Sequence, residues 1–238
     1  MPTEKETPSS PAEVRVSPFT INLTVYYALQ RPSSPDSALP AVLLALHGWG
    51  QNCKRFLRDF RPLEAHNILV VAPQAPHQFY LDMATKKVGF SWLTIYERTQ
   101  AILDVNQYLR RLLDHIAQDT PYDPARVFLL GFSQGSSMAY RFAVSGLLQP
   151  AGLISCCSDL PPDVAEVLHA HAPFPVLLAH GEEDGLIPRE KLSEAGNTLR
   201  QAGFPCEEHL FPGGHEITPG LVATIGDWMN QQSARATP

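Results

Sequence analysis

Val127-Phe128-Leu129-Leu130-Gly131-Phe132-Ser133-Gln134-Gly135 decides how the chain is read. Four apolar residues in a row fit a strand buried on both faces, and the G-x-S-x-G that overlaps its end sets a serine between small residues at the strand's exit. Small residues are needed there because a strand that turns sharply into a helix leaves no room for Cβ atoms. Such a turn lifts the Ser133 hydroxyl above the sheet edge. It also brings the N-terminus of the next helix, with the N–H of Gln134, towards the point where negative charge would develop on an attacked carbonyl.

Outward from this turn the chain alternates short apolar runs with helical stretches. Ala41–Leu46, Ile68–Ala72, Arg126–Leu130, Gly152–Cys156 and Val176–Ala179 have the length and continuity of strands in a parallel sheet. Between Arg98 and Asp119, Ile102, Val105, Leu109, Leu112, Leu113 and Ile116 recur at steps of three and four, which predicts an amphipathic helix lying on that sheet. Further helices are expected over Gly135–Val144, Arg189–Gln201 and from Thr218-Pro219 through Trp228, the first two closed by Gly146 and Gly203. Before the first run, Val14, Val16, Ile21, Leu23, Val25 and Tyr27 alternate with polar residues around Ser17-Pro18, which suggests an antiparallel pair of edge strands. The fold class is therefore α/β: a doubly wound, mostly parallel sheet with helices on both faces and antiparallel N-terminal edge strands. One domain is expected over residues 14–238, preceded by a frayed tail at 1–13 rich in Pro, Ser, Thr and Glu.

Composition narrows the partners. The 238 residues are 44% hydrophobic and 18% charged, enough for a large core and too few charges for disorder. A net charge of -6 with no run of Lys or Arg argues against nucleic acid and against an anionic membrane surface. No apolar stretch approaches the roughly 20 residues of a spanning helix, so no stable membrane anchoring is expected. Four cysteines without CxxC spacing suit a reducing compartment, and the cytoplasm is the expected location.

A serine hydroxyl is a weak nucleophile at neutral pH and needs a base, itself oriented by an acid. In a chain with this strand–turn–helix, the acid and then the histidine follow the serine. Asp184 fits the acid, on the loop His180-Gly181-Glu182-Glu183-Asp184-Gly185-Leu186-Ile187-Pro188 after the run Val176–Ala179; Glu182 and Glu183 are rival carboxylates on the same turn. His215, in Phe211-Pro212-Gly213-Gly214-His215, fits the base. His47 and His180 lie too early in the chain and read as structural. His169 and His171 form an H-x-H with no second ligand cluster, so no metal site is expected. A second donor for an oxyanion is expected from Leu46-His47-Gly48-Trp49-Gly50-Gln51, where the glycines allow the N–H of Trp49 to face the same point as that of Gln134.

In order along the chain, His47-Gly48-Trp49-Gly50, Ala72-Pro73-Gln74-Ala75-Pro76, Ser91-Trp92, Gly131–Gly135, His180–Pro188 and Gly214-His215 resemble the carboxylesterase/acyl-protein thioesterase (phospholipase/carboxylesterase) family of the α/β-hydrolase superfamily. The likeness covers Ala41 to Trp228. It implies a compact, cofactor-free esterase in which Ser133, Asp184 and His215 form a triad, Trp49 and Gln134 supply oxyanion N–H groups, and Trp92 borders the acyl pocket. Trp49 and Trp92 are then expected on opposite sides of that pocket, one after the oxyanion glycine and the other at the end of a long loop that follows Ile68–Ala72. Trp49 stands where such proteins often have a smaller aliphatic residue, and Ser91-Trp92-Leu93-Thr94 replaces the more usual Trp-Phe-Asp, so substrate preference does not transfer with the chemistry.

The expected activity is serine-dependent hydrolysis of a short or medium acyl ester or thioester through an acyl-enzyme, since the chain has no insertion long enough to form a lid domain. Acyl-protein thioesterase and lysophospholipase activity stay open. So do a peptidase or lactone hydrolase and a non-catalytic binding module on the same fold.

Overall fold

The computed structural model describes residues 15–33 and 38–235; the expected tail at 1–13 lies outside them. In chain order the elements are β1 (Tyr27–Gln30), β2 (Ala41–Leu46), α1 (Cys53–Phe56) running into a 3-10 stretch (Leu57–Ala65), and β3 (Ile68–Pro73). A hairpin of β4 (His77–Asp82) and β5 (Lys87–Ser91) follows, then α2 (Arg98–Asp119), β6 (Val127–Phe132) and α3 (Gln134–Ala143). The chain finishes with β7 (Gly152–Cys156), α4 (Pro162–Ala165), β8 (Val176–Gly181), α5 (Glu190–Gln201), β9 (Cys206–Phe211) and α6 (Pro219–Arg235).

Among the described residues, seven strands form the main sheet in the order β1-β3-β2-β6-β7-β8-β9. Every neighbouring pair is parallel except β1 with β3. Side chains alternate across a strand, and in β2 this sorts Val42, Leu44 and Leu46 to one face and Leu43 and Ala45 to the other. The first face is covered by α2, α3 and α5 through Val105, Leu109, Leu113, Met138, Phe142 and Leu199. The second is covered by the 57–65 stretch and α6 through Phe60, Leu63, Leu221, Ile225 and Trp228. This is the doubly wound, three-layered sheet expected from the continuous apolar runs, and β2, β6 and β8 deliver their C-terminal ends to one edge, where ligand sites of open α/β sheets gather.

Two local expectations are corrected. The antiparallel N-terminal edge is present, but among the described residues it is formed by Tyr27–Gln30 opposite Pro73–Val70, later in the chain than the alternation around Ser17-Pro18 suggests. β3 offers a free edge only six residues long, and over residues 15–26 Val16, Phe19, Ile21, Leu23 and Tyr26 remain exposed without a ladder to complete them. Residues 77–91, expected within a long loop, form the hairpin β4–β5 instead. Its turn is closed by Asp82, whose carboxylate accepts from the N–H of Ala84 at 2.8 Å and the hydroxyl of Thr85 at 2.8 Å. The hairpin is fastened to the chain after β2 by the N–H of Gly50, which donates to Phe90 O at 2.8 Å.

Candidate active site

Ser133 sits between β6 and α3 with φ 54° and ψ −121°, a left-handed backbone that a non-glycine residue holds only when its surroundings force it. The forcing is visible in its neighbours. A Cβ on Gly131 would lie 2.2 Å from Ser136 Cα, and one on Gly135 would lie 2.1 Å from Leu46 O, at the end of β2. The turn is pinned by the Ser133 N–H donating to Cys156 O at 2.9 Å and by Ser136 Oγ donating to Gly131 O at 2.7 Å.

Asp184 and His215 are brought together from two loops. His215 Nδ1 lies 2.8 Å from Asp184 Oδ2, and the other carboxylate oxygen accepts from the N–H groups of Leu186 at 2.8 Å and Ile187 at 3.0 Å. Burial pushes the Asp184 carboxyl up, but the Ile187 N–H, His215 and the Leu186 N–H together outweigh it and hold the group below its ordinary value. Asp184, not Glu182 or Glu183, therefore holds the histidine, as the spacing of the loop suggests. The two loops meet closely because residue 181 is glycine: a Cβ there would be 2.2 Å from Gly214 O. The His215 ring packs on Phe132, the residue before Ser133, with centroids 4.9 Å apart. A Ser133 Oγ to His215 hydrogen bond is not formed among the described residues. Such bonds are often long before substrate arrives.

The loop after β2 is held from beneath by a buried polar network that has no signature in the sequence. His47 Nδ1 faces Gly48 O at 2.8 Å, while Nε2 accepts from the side-chain amide of Gln74 at 2.8 Å and the N–H of Ala75 at 3.1 Å. That set of partners suits the neutral ring with its proton on Nδ1. Burial lowers the pKa of His47 to about 4, against a smaller upward pull from Gly48 O. The Trp92 indole N–H donates to His47 O at 2.7 Å, and its backbone N–H donates to the Gln134 side-chain oxygen at 2.9 Å. Gln134 Nε2 donates in turn to Leu93 O at 2.9 Å and Ser91 Oγ at 3.0 Å. Above this network the Trp49 N–H has no acceptor among the described residues, and the Gln134 N–H is the first of α3, among those that find no intrahelical acceptor.

The placement of the two tryptophans differs from expectation. Trp92 does not border a cleft: it is fully buried, 0% exposed, beneath the loop that carries Trp49. Trp49 is 58% exposed and stacks on Phe79 of β4, with ring centroids 4.9 Å apart, instead of facing Trp92 across a pocket. Only the hairpin brings Phe79 to that position, and a loop at 77–91 would give no reason to pair the two rings. One grouping also escapes the spacing argument against a metal site: Cys157 Sγ, a carboxylate oxygen of Asp184 and a ring nitrogen of His215 all lie within 4.8 Å of one another.

Residues 29–233 match the family model described as Phospholipase/Carboxylesterase. Among curated relatives, an acyl-protein thioesterase 1 of Gibberella zeae is 26% identical over 200 residues, covering 78% of this chain and 85% of its own. The carboxylesterase SOBER1 of Arabidopsis thaliana is 24% identical over 210 residues, covering 80% of this chain and 90% of its own. Among solved structures, esterase PE8 superposes with a TM-score of 0.68 at 24% identity, covering 88% of this chain and 99% of its own, which supports the fold.

Two outcomes follow from the buried network. Because His47 is neutral when folded, with a pKa of about 4, and ionises near 6.5 when unfolded, the unfolded chain binds the extra proton between these values. His47 therefore makes the fold lose stability as pH falls from 6.5 towards 4, by about 2 kcal/mol at pH 5; chemical denaturation at pH 7 and pH 5 measures the loss, and His47→Gln should shrink it. Trp92→Ala should cost about 3–5 kcal/mol, as large-to-small changes in a packed core do, seen as a lower denaturation midpoint, and should not selectively favour longer acyl esters.

Proposed function

The chain belongs to the phospholipase/carboxylesterase family of α/β-hydrolases, and on that premise we propose that it cleaves short or medium acyl esters or thioesters through an acyl-enzyme on Ser133. The observation that carries this reading is the bond between Asp184 and His215, formed beside a serine held in a strained elbow. Asp184 accepts the Nδ1 proton of His215, leaving Nε2 as the base. His215 takes the Ser133 proton as Oγ attacks the carbonyl carbon, and the oxyanion is met by the N–H groups of Trp49 and Gln134. The protonated imidazole then gives its proton to the departing alcohol or thiol. Water, deprotonated by the same ring, releases the acid and restores the serine.

Each part has physical support. Catalytic N–H donors must be free of other acceptors and fixed in place. The Trp49 N–H meets the first condition, and the His47–Gln74–Trp92–Gln134 network supplies the second. Both leaving groups stay within the proposal, because the relatives bear the names acyl-protein thioesterase and carboxylesterase and both reactions begin with attack on the same kind of carbonyl. A small-molecule substrate fits a chain of net charge -6 better than nucleic acid does. The four cysteines are free thiols, which suits the cytoplasm, and no helix among the described residues is long and apolar enough to cross a membrane.

Ser133→Ala should abolish turnover of p-nitrophenyl butyrate, a loss of about a millionfold, and labelling by a fluorophosphonate, with the denaturation midpoint preserved. A folded variant that retains activity refutes the serine assignment, whereas a parent that neither hydrolyses the ester nor takes the label favours a binding module. Asp184→Asn should retain the fold yet lower kcat by roughly ten-thousandfold, since the amide would favour the wrong histidine tautomer; an undiminished rate would move the acid to Glu182 or Glu183.

A further inference from the structure

Cys157 follows β7 and is fully buried, in a left-handed backbone of φ 50°. Its N–H donates to Ala179 O at 2.8 Å, and its sulfur lies 3.9 Å from Gly214 O and 4.0 Å from Glu216 O, the carbonyls on either side of His215. The thiol is thus built against the loop that carries the histidine. With Asp184 and His215 it makes a set of one sulfur, one carboxylate oxygen and one imidazole nitrogen, all within 4.8 Å of one another. None of the reaction steps above uses the sulfur.

We propose that Cys157, Asp184 and His215 form an inhibitory site for a thiophilic divalent cation, with zinc as its best occupant. Three protein ligands of these types with water in the fourth position are a standard zinc environment. Metal–ligand bonds of about 2.0–2.3 Å place tetrahedral ligand atoms roughly 3.3–3.8 Å apart, so side-chain adjustments of about 1 Å would close the cluster on the ion. The sulfur selects against magnesium and calcium, which prefer oxygen.

Binding replaces the thiol proton with the cation and releases that proton to solvent. Burial, ahead of the nearby Asp184 charge, pushes the Cys157 thiol up to about 11, so without metal it stays protonated and leaves the acid–histidine pair undisturbed. A bound cation would reverse that preference. It would also insert into the Asp184–His215 bond, taking the carboxylate oxygen and Nδ1 as ligands; the Nδ1 proton then passes through solvent to Nε2, which carries the proton of the neutral ring and can no longer act as the base. Entry is from the His215 side, whose side chain is 16% exposed, and exposed Glu182, Glu183 and Glu216 flank the two loops and favour a cation there.

The effect on rate rests on the hydrolase reading; the binding does not. Protein dialysed against EDTA is titrated with zinc chloride by calorimetry, and hydrolysis of p-nitrophenyl butyrate is followed in parallel. The expected result is one tight zinc equivalent, loss of activity in step with its binding, recovery on adding EDTA, and no response to magnesium. Cys157→Ser and Cys157→Ala should each weaken zinc binding at least about tenfold, the loss caused even by removing an outer-shell partner, with inhibition judged against each variant's own metal-free rate. Cys206→Ala, a half-buried thiol on β9, should bind zinc like the parent. Ser133→Ala, inactive, should do so too. Wild-type affinity in both folded Cys157 variants, an equal loss in Cys206→Ala, or no zinc bound by the parent overturns the proposal. A parent without hydrolase activity that still binds one zinc through Cys157 overturns the hydrolase reading instead and leaves the site standing.

Discussion

The site depends on one steric constraint: the first turn of α3 is pressed against the last residues of β2 with no space for a side chain between them. Leu46 O and His47 O would lie 2.1 and 2.7 Å from a Cβ on Gly135. That approach sets the strained conformation of Ser133 and brings the N-terminus of α3 next to the loop bearing Trp49. It also sets the ends of two neighbouring parallel strands, β2 and β6, at one depth, in register from Val42–Val127 to Leu46–Gly131. Backbone strain of this kind costs of order 1–3 kcal/mol and persists only where surrounding structure over-determines it. Here the surrounding structure is a sheet with both faces packed.

A second layer of control is polar and buried. His47, Gln74, Trp92 and Gln134 join the loop after β2, the end of β3, the exit of the hairpin and the start of α3 through hydrogen bonds of 2.7–2.9 Å. Such a network is costly if any member lacks its partner and rigid if all are satisfied. The neutral state of His47 follows from this, because a charged ring would need an acceptor at Nε2, where the Gln74 amide and the Ala75 N–H already donate.

Much of this is legible in the sequence where local pattern and tertiary demand coincide. The 98–119 helix is readable to its ends because its apolar stripe is long and uninterrupted. The elbow is readable because glycines on both sides of a serine, directly after a buried strand, suit a turn with no room for side chains. Asp184 stands out from Glu182 and Glu183 by its place in the loop. What stays hidden is non-local. Residues 15–26 alternate like a strand but lack a neighbour to pair with; β4 and β5 alternate weakly because much of the hairpin is exposed. Resemblance places Trp92 at a pocket, whereas its burial depends on His47 and Gln134, 45 and 42 residues away. Cys157 shares no spacing motif with Asp184 and His215, and the pairing of β7 with β8 and of β8 with β9 brings them together.

The hairpin has a consequence for how such a protein diversifies. It is a two-stranded unit outside the main sheet, tied to the loop after β2 at Gly50 and Phe90 and stacked beneath Trp49 through Phe79. Its outward residues, Tyr80, Met83 and Val88, are exposed and absent from both hydrophobic cores. Substitutions there escape the packing constraints that fix β2, β6 and α3, yet they fall on a unit bonded directly to the Trp49 loop. A change in the hairpin can therefore reshape the surroundings of the Trp49 loop while the packing that fixes the elbow is left intact.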